Sequence, residues 1–537
     1  MITLEQLYRN LKWPEETQFM SHIAVKYENP VIPGFFPDPS VIRVDDYYYL
    51  ATSSFEYFPA VPIFRSRNLV EWEQIGHALT RSTQVDMTKR NSSEGIYAPT
   101  LRYNDGVFYL ITTDVYGIGN FYVTAANPAG PWSDPIRIPY GNIDPSLFFD
   151  EDGKVYVTAQ NGADLESHIV TYEIDIATGK ALSEPVVVCR GDGGVWTEGP
   201  HLYRIHGFYY LLCACGGTGR DHRVLAARSE YPTGPFELHD QPILTHNKLP
   251  DHPLHNLGHT DLIEDEAGNW WALFLGVRPV DGHYSVLGRE TFLAPVTWTE
   301  EGWPMIDNNE GTVQQSMDVE IYSGGAGIAS SRQAAAGAYR EQFEGATLSP
   351  RWAALRTFDE ERISLAKRPG TLALTGRSYT LSDAAPTVFA GVRQQHVSMR
   401  TETYISFEPT RDGEEAGLSA RLHEKAHYEI GIRREDGADY VIVTLTAGGS
   451  TSQTAKRRVE PNSGGIGLAI ASDAHTYRFA WSADGSSWHE LAQAPANVLS
   501  SEVSGGFTGV CIGLYATGNG APCAAAAYAE WFAYTPQ

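Results

Sequence analysis

The sequence predicts an all-β chain, a five-bladed β-propeller followed by a β-sandwich. Three observations carry this expectation. First, one phrase recurs five times in the first 275 residues, a tight polar turn running into aromatics: Asp45-Asp46-Tyr47-Tyr48-Tyr49-Leu50, Asp105-Gly106-Val107-Phe108-Tyr109-Leu110, Asp152-Gly153-Lys154-Val155-Tyr156-Val157, His206-Gly207-Phe208-Tyr209-Tyr210-Leu211 and Gly268-Asn269-Trp270-Trp271-Ala272-Leu273. Such a turn between extended, aromatic-rich segments marks a hairpin. Second, 51 Gly, 31 Pro and 12% aromatics against only 20% charged residues suit many strands joined by turns better than helices. Third, the pattern changes near residue 320, after which short alternating segments replace the repeat.

Taken in chain order, residues 4–11 are the best candidate for a short helix. Each repeat then supplies a first strand, a turn and the aromatic strand, with further strands expected at 61–64, 121–125, 168–174 and 224–227. Consecutive aromatic strands lie about 47 to 62 residues apart, a spacing that fits propeller blades with variable loops. A β-helix would have shorter turns and would not need hairpins. The propeller domain is therefore assigned to 1–320, a Gly-, Ala- and Ser-rich linker to 321–337, and the sandwich to 338–537. Within the sandwich, period-two alternation is clearest at 398–407, 440–445 and 476–481.

The formal charge of -25 opposes binding to nucleic acid or anionic membranes. No signal peptide or membrane-spanning run is visible, and the five cysteines form neither a zinc pattern nor an even disulfide framework. The expectation is a cytoplasmic protein with mostly buried thiols, acting on neutral partners.

In a propeller the first strands of all blades surround one axis, so equivalent residues far apart in sequence meet there. Twelve or thirteen residues before the end of each repeat stand Asp38, Ala98, Asp144, Glu198 and Asp261. Asp38 and Asp144 precede prolines, which hold the residue before them in extended or turn geometry. Each Asp-Pro taken alone reads as well as a turn initiator. Glu198 follows Trp196-Thr197 and precedes Gly199, which would leave its approach open; an apolar indole nearby favours a raised carboxyl pKa, as a general acid requires. Glycosidic bond hydrolysis needs one carboxylic acid to protonate the leaving oxygen and one carboxylate on the other side of the sugar. Where the second activates water the anomeric centre inverts, with the pair roughly 6.5 to 9.5 Å apart. Glu198 and Asp38 can fill these roles, with Asp144 holding Glu198 and helping to keep its proton on. His259 is aimed at the axis, to orient a carboxylate or meet a central ion, or else is a satisfied core residue. Arg289 can contact sugar hydroxyls or pair with Asp144, or with Glu290 in a purely structural bridge. Phe35, Phe55, Tyr97 and Trp196 offer flat walls for a sugar ring.

Pro37-Asp38-Pro39-Ser40, the stretch from Ala51 to Pro59, Ile143-Asp144-Pro145-Ser146, Glu198-Gly199-Pro200-His201-Leu202-Tyr203 and the stretch from Leu287 to Pro295 together resemble glycoside hydrolase family 43, especially its two-domain beta-xylosidase group. The likeness continues through Glu414 to Leu418, Gly505 to Gly509 and Gly513 to Gly518, and it implies a concanavalin-like jelly roll for the β-sandwich. It implies Asp38 as general base, Glu198 as general acid and Asp144 as pKa modulator. It also implies an inverting, exo-acting beta-1,4-xylosidase releasing xylose from short xylooligosaccharides, with alpha-L-arabinofuranosidase or dual activity as the alternative. Phe55, Thr218, His259 and Arg289 would surround the terminal sugar, with Ala98 in the blade position lacking a carboxylate and Phe507 of the sandwich closing one side. No cofactor is required for the chemistry. A structural calcium near the axis, with His259 as the one metal-facing candidate, and a homodimer or homotetramer are what the family adds. The chain departs from the family at Tyr97, where tryptophan is usual, and at Arg220, which bears on the next sugar. A carbohydrate-binding propeller without turnover is the non-enzymatic rival, although it has no need of three carboxylates.

Overall fold

In the computed structural model the described residues are 22–306, 312–322, 337–459 and 464–537. The expected helix at 4–11 and most of the expected linker lie outside them.

Five antiparallel sheets of four or five strands form the blades. Their first strands are Ser40–Val44, Thr100–Asn104, Ile143–Phe149, Glu198–Ile205 and His255–Glu264, and each pairs with the aromatic strand that follows it. These five first strands touch in cyclic order, the last against the first, so the ring is closed. The third strands expected from sequence appear slightly longer, as Ala60–Ser66, Gly119–Ala125, His168–Asp175 and Arg223–Ser229.

Burial explains why the aromatic strands repeat. Each blade leans on the next through its own apolar cluster, such as Ile63, Leu101 and Phe121 between the first two blades and Leu212, Phe274 and Phe292 between the last two. A buried side chain of this size contributes roughly 1.5–3 kcal/mol. Outside the five sheets, His22–Glu28 pairs antiparallel with Ser316–Tyr322. Tyr27 and Met317 from this pair pack where the last blade meets the first.

The second half is a sandwich of two eight-stranded sheets around one large core. The alternating segments appear as Met399–Ser406, Ala438–Ala447 and Thr476–Ser482. The first of these shows strict burial alternation along its whole length. The two halves share structure. Tyr57–Phe58, from the first blade's loop, pairs with Ala353–Leu355 at the edge of one sandwich sheet. Phe35, Phe55, Tyr57, Phe389 and Tyr515 then form an apolar cluster that joins the halves. All five cysteines are free and buried, as their spacing predicts.

Candidate active site

A pocket of about 430 Å³ opens at one end of the propeller axis, lined by Asp38, Ala98, Asp144, Glu198 and His259 from the five blades. The blade repeat places four of these where expected and corrects the fifth. Leu50, Leu110, Val157 and Leu211 face Val41, Leu101, Leu147 and Leu202, three or four residues after the pocket side chain of each blade, but Leu273 faces Asp261 itself: the ladder bulges between Gly258 and Asp261, and His259 in that bulge stands two residues before the expected position. The fifth blade therefore presents His259, and Asp261 sits deeper on the axis. There Asp261 accepts hydrogen bonds from Ser40 Oγ (2.8 Å), Val41 N (3.0 Å), Arg102 Nη1 (3.1 Å) and Tyr203 OH (2.5 Å).

Backbone geometry aims these side chains. Register shifts interrupt the pairing between Ile143 and Ser146, Glu198 and His201, and Gly258 and Asp261. Inside these bulges Asp144, Gly199 and His259 take φ of 53°, 58° and 50°, and Asp38 takes 58° at the head of the first blade. The prolines after Asp38 and Asp144 predict extended backbone, but both take a left-handed φ, Asp144 within its bulge and Asp38 just ahead of the first blade's ladder, which turns their carboxylates into the pocket. Glu198 stands one residue ahead of the left-handed position, which Gly199 takes instead. Gly199 is required by packing more than by substrate approach: a Cβ there would lie 2.8 Å from the His259 ring.

The three carboxyls are electrostatically distinct. Burial pushes Asp38 up, but the Arg289 guanidinium, His259 and the Ser53 hydroxyl outweigh it and hold Asp38 below the usual carboxylate range. Arg289 Nη1 donates to Asp38 Oδ1 at 3.2 Å, Ser53 Oγ donates to Oδ2, and His259 Nδ1 lies 3.7 Å from Oδ1. Glu198 moves the other way, up to about 7, chiefly through burial and then the negative charge of Asp38, against the pull of Arg289. Asp144 is also raised well above the ordinary range by burial and by Glu198 and Asp38, while the Gly199 N–H donates to its Oδ2 at 3.1 Å. Asp144 thus braces the backbone beside Glu198 and competes with it for a proton.

Of the partners considered for Arg289, neither Asp144 nor Glu290 is the one found: Arg289 pairs with Asp38, and Glu290 belongs to Arg278 through two 2.8 Å hydrogen bonds. The sugar-facing walls are Phe55, Tyr97, Trp196 and Phe507, with Thr218 and Gly217 beside them. Phe507 comes from the sandwich. Its ring is 6.0 Å from Phe55 and 6.2 Å from Tyr97, and its carbonyl accepts from Arg289 Nη2 at 3.4 Å. Phe35 does not line the pocket; it is fully buried behind Phe55 at 5.7 Å between ring centres. Arg220 turns away from the pocket, donating to the carbonyls of Pro250 and Gly282 and contacting His255 at 2.8 Å. Ile143, His222 and Leu275 complete the lining and were not singled out as site residues from sequence; the signal for His222 was that it closes the loop after Thr218. Burial holds His222 down near 4, so its ring is neutral.

The site fulfils the requirements of glycoside hydrolysis: a proton-bearing carboxyl, an ionised carboxylate, and flat apolar walls in one pocket. Residues 27–304 match Glycosyl hydrolases family 43, and residues 340–535 match the Beta xylosidase C-terminal Concanavalin A-like domain. The chain belongs to glycosyl hydrolase family 43. It is similar to a Non-reducing end alpha-L-arabinofuranosidase of Bacteroides ovatus, with 40% identity over 94% of each chain. It is also similar to a Xylosidase/arabinosidase of Butyrivibrio fibrisolvens, with 35% identity over 92% of this chain and 96% of that one. Among solved structures, the xylan beta-1,4-xylosidase of Bacillus halodurans superposes with a TM-score of 0.86 at 31% identity, covering 95% of this chain and 99% of that one. Membership makes this family 43 protein a glycosidase. Among the described residues no helix is long and apolar enough to cross a membrane.

A calcium ion, which seeks six or more oxygen ligands, is poorly served at this axis. Asp261 is saturated by five donors, counting the Leu262 N–H, and Asp38 is held by Arg289 and Ser53. Arg102 and Arg289 place guanidinium charge against the very carboxylates an ion would need. These residues do not fit a calcium, and His259, with Nδ1 3.7 Å from Asp38 Oδ1, is better described as a neighbour of that carboxylate than as a ligand.

Proposed function

We propose that this family 43 enzyme is an inverting, exo-acting pentosidase that removes terminal alpha-L-arabinofuranosyl residues from the non-reducing ends of short oligosaccharides. The observation that carries the exo reading is the aromatic lid: Phe507 from the second domain closes one side of the pocket that holds the three carboxyls. The choice of arabinose rests on the Bacteroides ovatus relative named for that activity and on Tyr97, a narrower wall than the tryptophan usual in the family. Beta-1,4-xylosidase, the expectation drawn first from sequence, becomes the second reading. The relative named for both activities favours keeping it.

In this account Asp38, ionised and held by Arg289 and Ser53, takes a proton from water as the water oxygen attacks the anomeric carbon. Glu198 delivers its proton to the departing glycosidic oxygen as the carbon–oxygen bond breaks. Asp144 holds the Gly199 amide and so fixes the backbone that carries Glu198. Arg289 serves both carboxylate and lid. No step needs a metal or cofactor.

Side-by-side kcat/KM values on an aryl alpha-L-arabinofuranoside, an aryl beta-D-xylopyranoside and xylobiose test the reading. The arabinofuranoside is expected to lead. A lead for either xyloside would transfer the assignment to the second reading, and no turnover on any of the three would reject both.

A further inference from the structure

We propose that Ser93 is a positioning residue that sets the width of the sugar pocket, by tying its two movable aromatic walls to one point. Ser93 does not line the pocket, yet all three of its hydrogen-bonding groups are committed around it. Its Oγ accepts from the Phe507 amide at 2.8 Å, and its carbonyl accepts from the Tyr97 hydroxyl at 3.0 Å. Its own amide donates to Glu56 Oε2 at 2.9 Å. One wall belongs to the propeller and the other to the sandwich, so Ser93 is where the two domains agree on the distance between them.

The anchor behind Ser93 is rigid. Glu56 is fully buried and faces the fully buried Arg421 of the sandwich at 3.4 Å. Arg421 also donates to Ser92 Oγ at 2.8 Å, and Ser92 Oγ donates to Glu424 at 2.9 Å. A buried ion pair of this kind tolerates little displacement, because parting it would leave an uncompensated charge. Ser93 itself has a φ of 67°, unusual for a residue with a side chain, and it is kept there by the bonds on either side. Across the gap, Gly506 has a φ of 88°, and a Cβ there would lie 2.9 Å from Ser93 Oγ. The lid loop is thus shaped to meet this hydroxyl.

The Tyr97 arm of the tie exists only because this chain carries a phenol, since the acceptor is a backbone carbonyl and the donor is the Tyr97 hydroxyl. An unbranched ring at 97 would be free to tilt, and its contact with Phe55 at 5.1 Å and with Phe507 would vary with it. Ser93 therefore acts through Tyr97 and Phe507 on which pentose ring fits, a deepening that rests on the pentosidase reading above.

Two variants test the two arms separately. Ser93→Gly removes the hydroxyl and suits the positive φ, so the fold is not strained; Tyr97→Phe removes only the phenol oxygen and keeps the ring. For each, KM for the preferred aryl pentoside is expected to rise about five- to tenfold with kcat within about twofold, as for loss of uniform binding. The ratio of arabinofuranoside to xylopyranoside kcat/KM is expected to move toward one. Calorimetric titration of L-arabinose and D-xylose should show the same loss of discrimination. If turnover favours the xyloside, or is absent, the pentosidase assignment changes while the calorimetry still reads the tie. Unchanged KM and unchanged sugar discrimination in both folded variants would overturn the proposal, as would a fall confined to kcat.

Discussion

Replacing Glu198 by alanine separates proton donation from every other function of the site. Burial and the Asp38 charge hold the Glu198 proton to about pH 7, against an ordinary value of 4.5, so the wild-type carboxyl is still substantially protonated at neutral pH. General acid catalysis contributes roughly 10²–10⁴-fold, or about 3–5 kcal/mol at 1.36 kcal/mol per tenfold. That contribution is realised only when the leaving oxygen needs a proton. Glu198→Ala should therefore lose the full factor on a pentosyl disaccharide, whose leaving group is a sugar hydroxyl. On a dinitrophenyl pentoside, whose leaving group is acidic, the loss should stay within about tenfold. The alkaline limb of wild-type kcat/KM, centred near pH 7, should disappear in the variant. The assay is steady-state kcat/KM for both substrates across a series of pH values. Equal losses on the two substrates, or an alkaline limb that survives in Glu198→Ala, would refute Glu198 as the acid.

Asp38→Asn should remove about 10³-fold or more on both substrate types, since water activation is needed whatever the leaving group; a loss confined to the disaccharide would contradict the base assignment. Stability should follow pH with a definite sign. Between about 4.5 and 7 the native Glu198 keeps a proton that the unfolded chain has released, so stability falls as pH rises through that window. Glu198→Gln removes this cost, of order 1–3 kcal/mol, and should raise the melting temperature at pH 8 relative to wild type while leaving it nearly unchanged at pH 4; a uniform shift would contradict the buried acid. Gly199→Ala should lose about 1–3 kcal/mol in denaturant unfolding, because the new Cβ meets the His259 ring and the residue has a φ of 58°. Wild-type stability in that variant would remove the packing role assigned to this glycine.

The blades were legible because each turn is local and each aromatic strand buries its side chains against a neighbouring blade. The convergence of Asp38, Asp144 and Glu198 was legible for the same reason: a repeat that closes into a ring converts sequence period into spatial proximity. The reading slipped where regular pairing stops. In the last blade the ladder bulges between Gly258 and Asp261, so Asp261 pairs with Leu273 and His259, two residues earlier, reaches the pocket in the place assigned to Asp261. Asp144 in its bulge and Asp38 just ahead of the first blade's ladder take a left-handed φ that proline alone does not predict. Partnerships across long separations left no local trace. Arg289 with Asp38, 251 residues apart, was not among the pairings named from sequence, and only the fold brings them to 3.2 Å. Ser93 with Phe507, 414 residues apart, carries no motif at all.

Anomer-resolved proton NMR of the first turnovers tests the central assignment most directly, because Asp38 as a base and Glu198 as an acid can only invert. With an alpha-L-arabinofuranoside as substrate, β-L-arabinofuranose should appear first and the other forms should follow at the rate of mutarotation. Initial release of the α anomer would mean that a carboxylate attacks the sugar directly, and the roles given to Asp38 and Glu198 would be wrong.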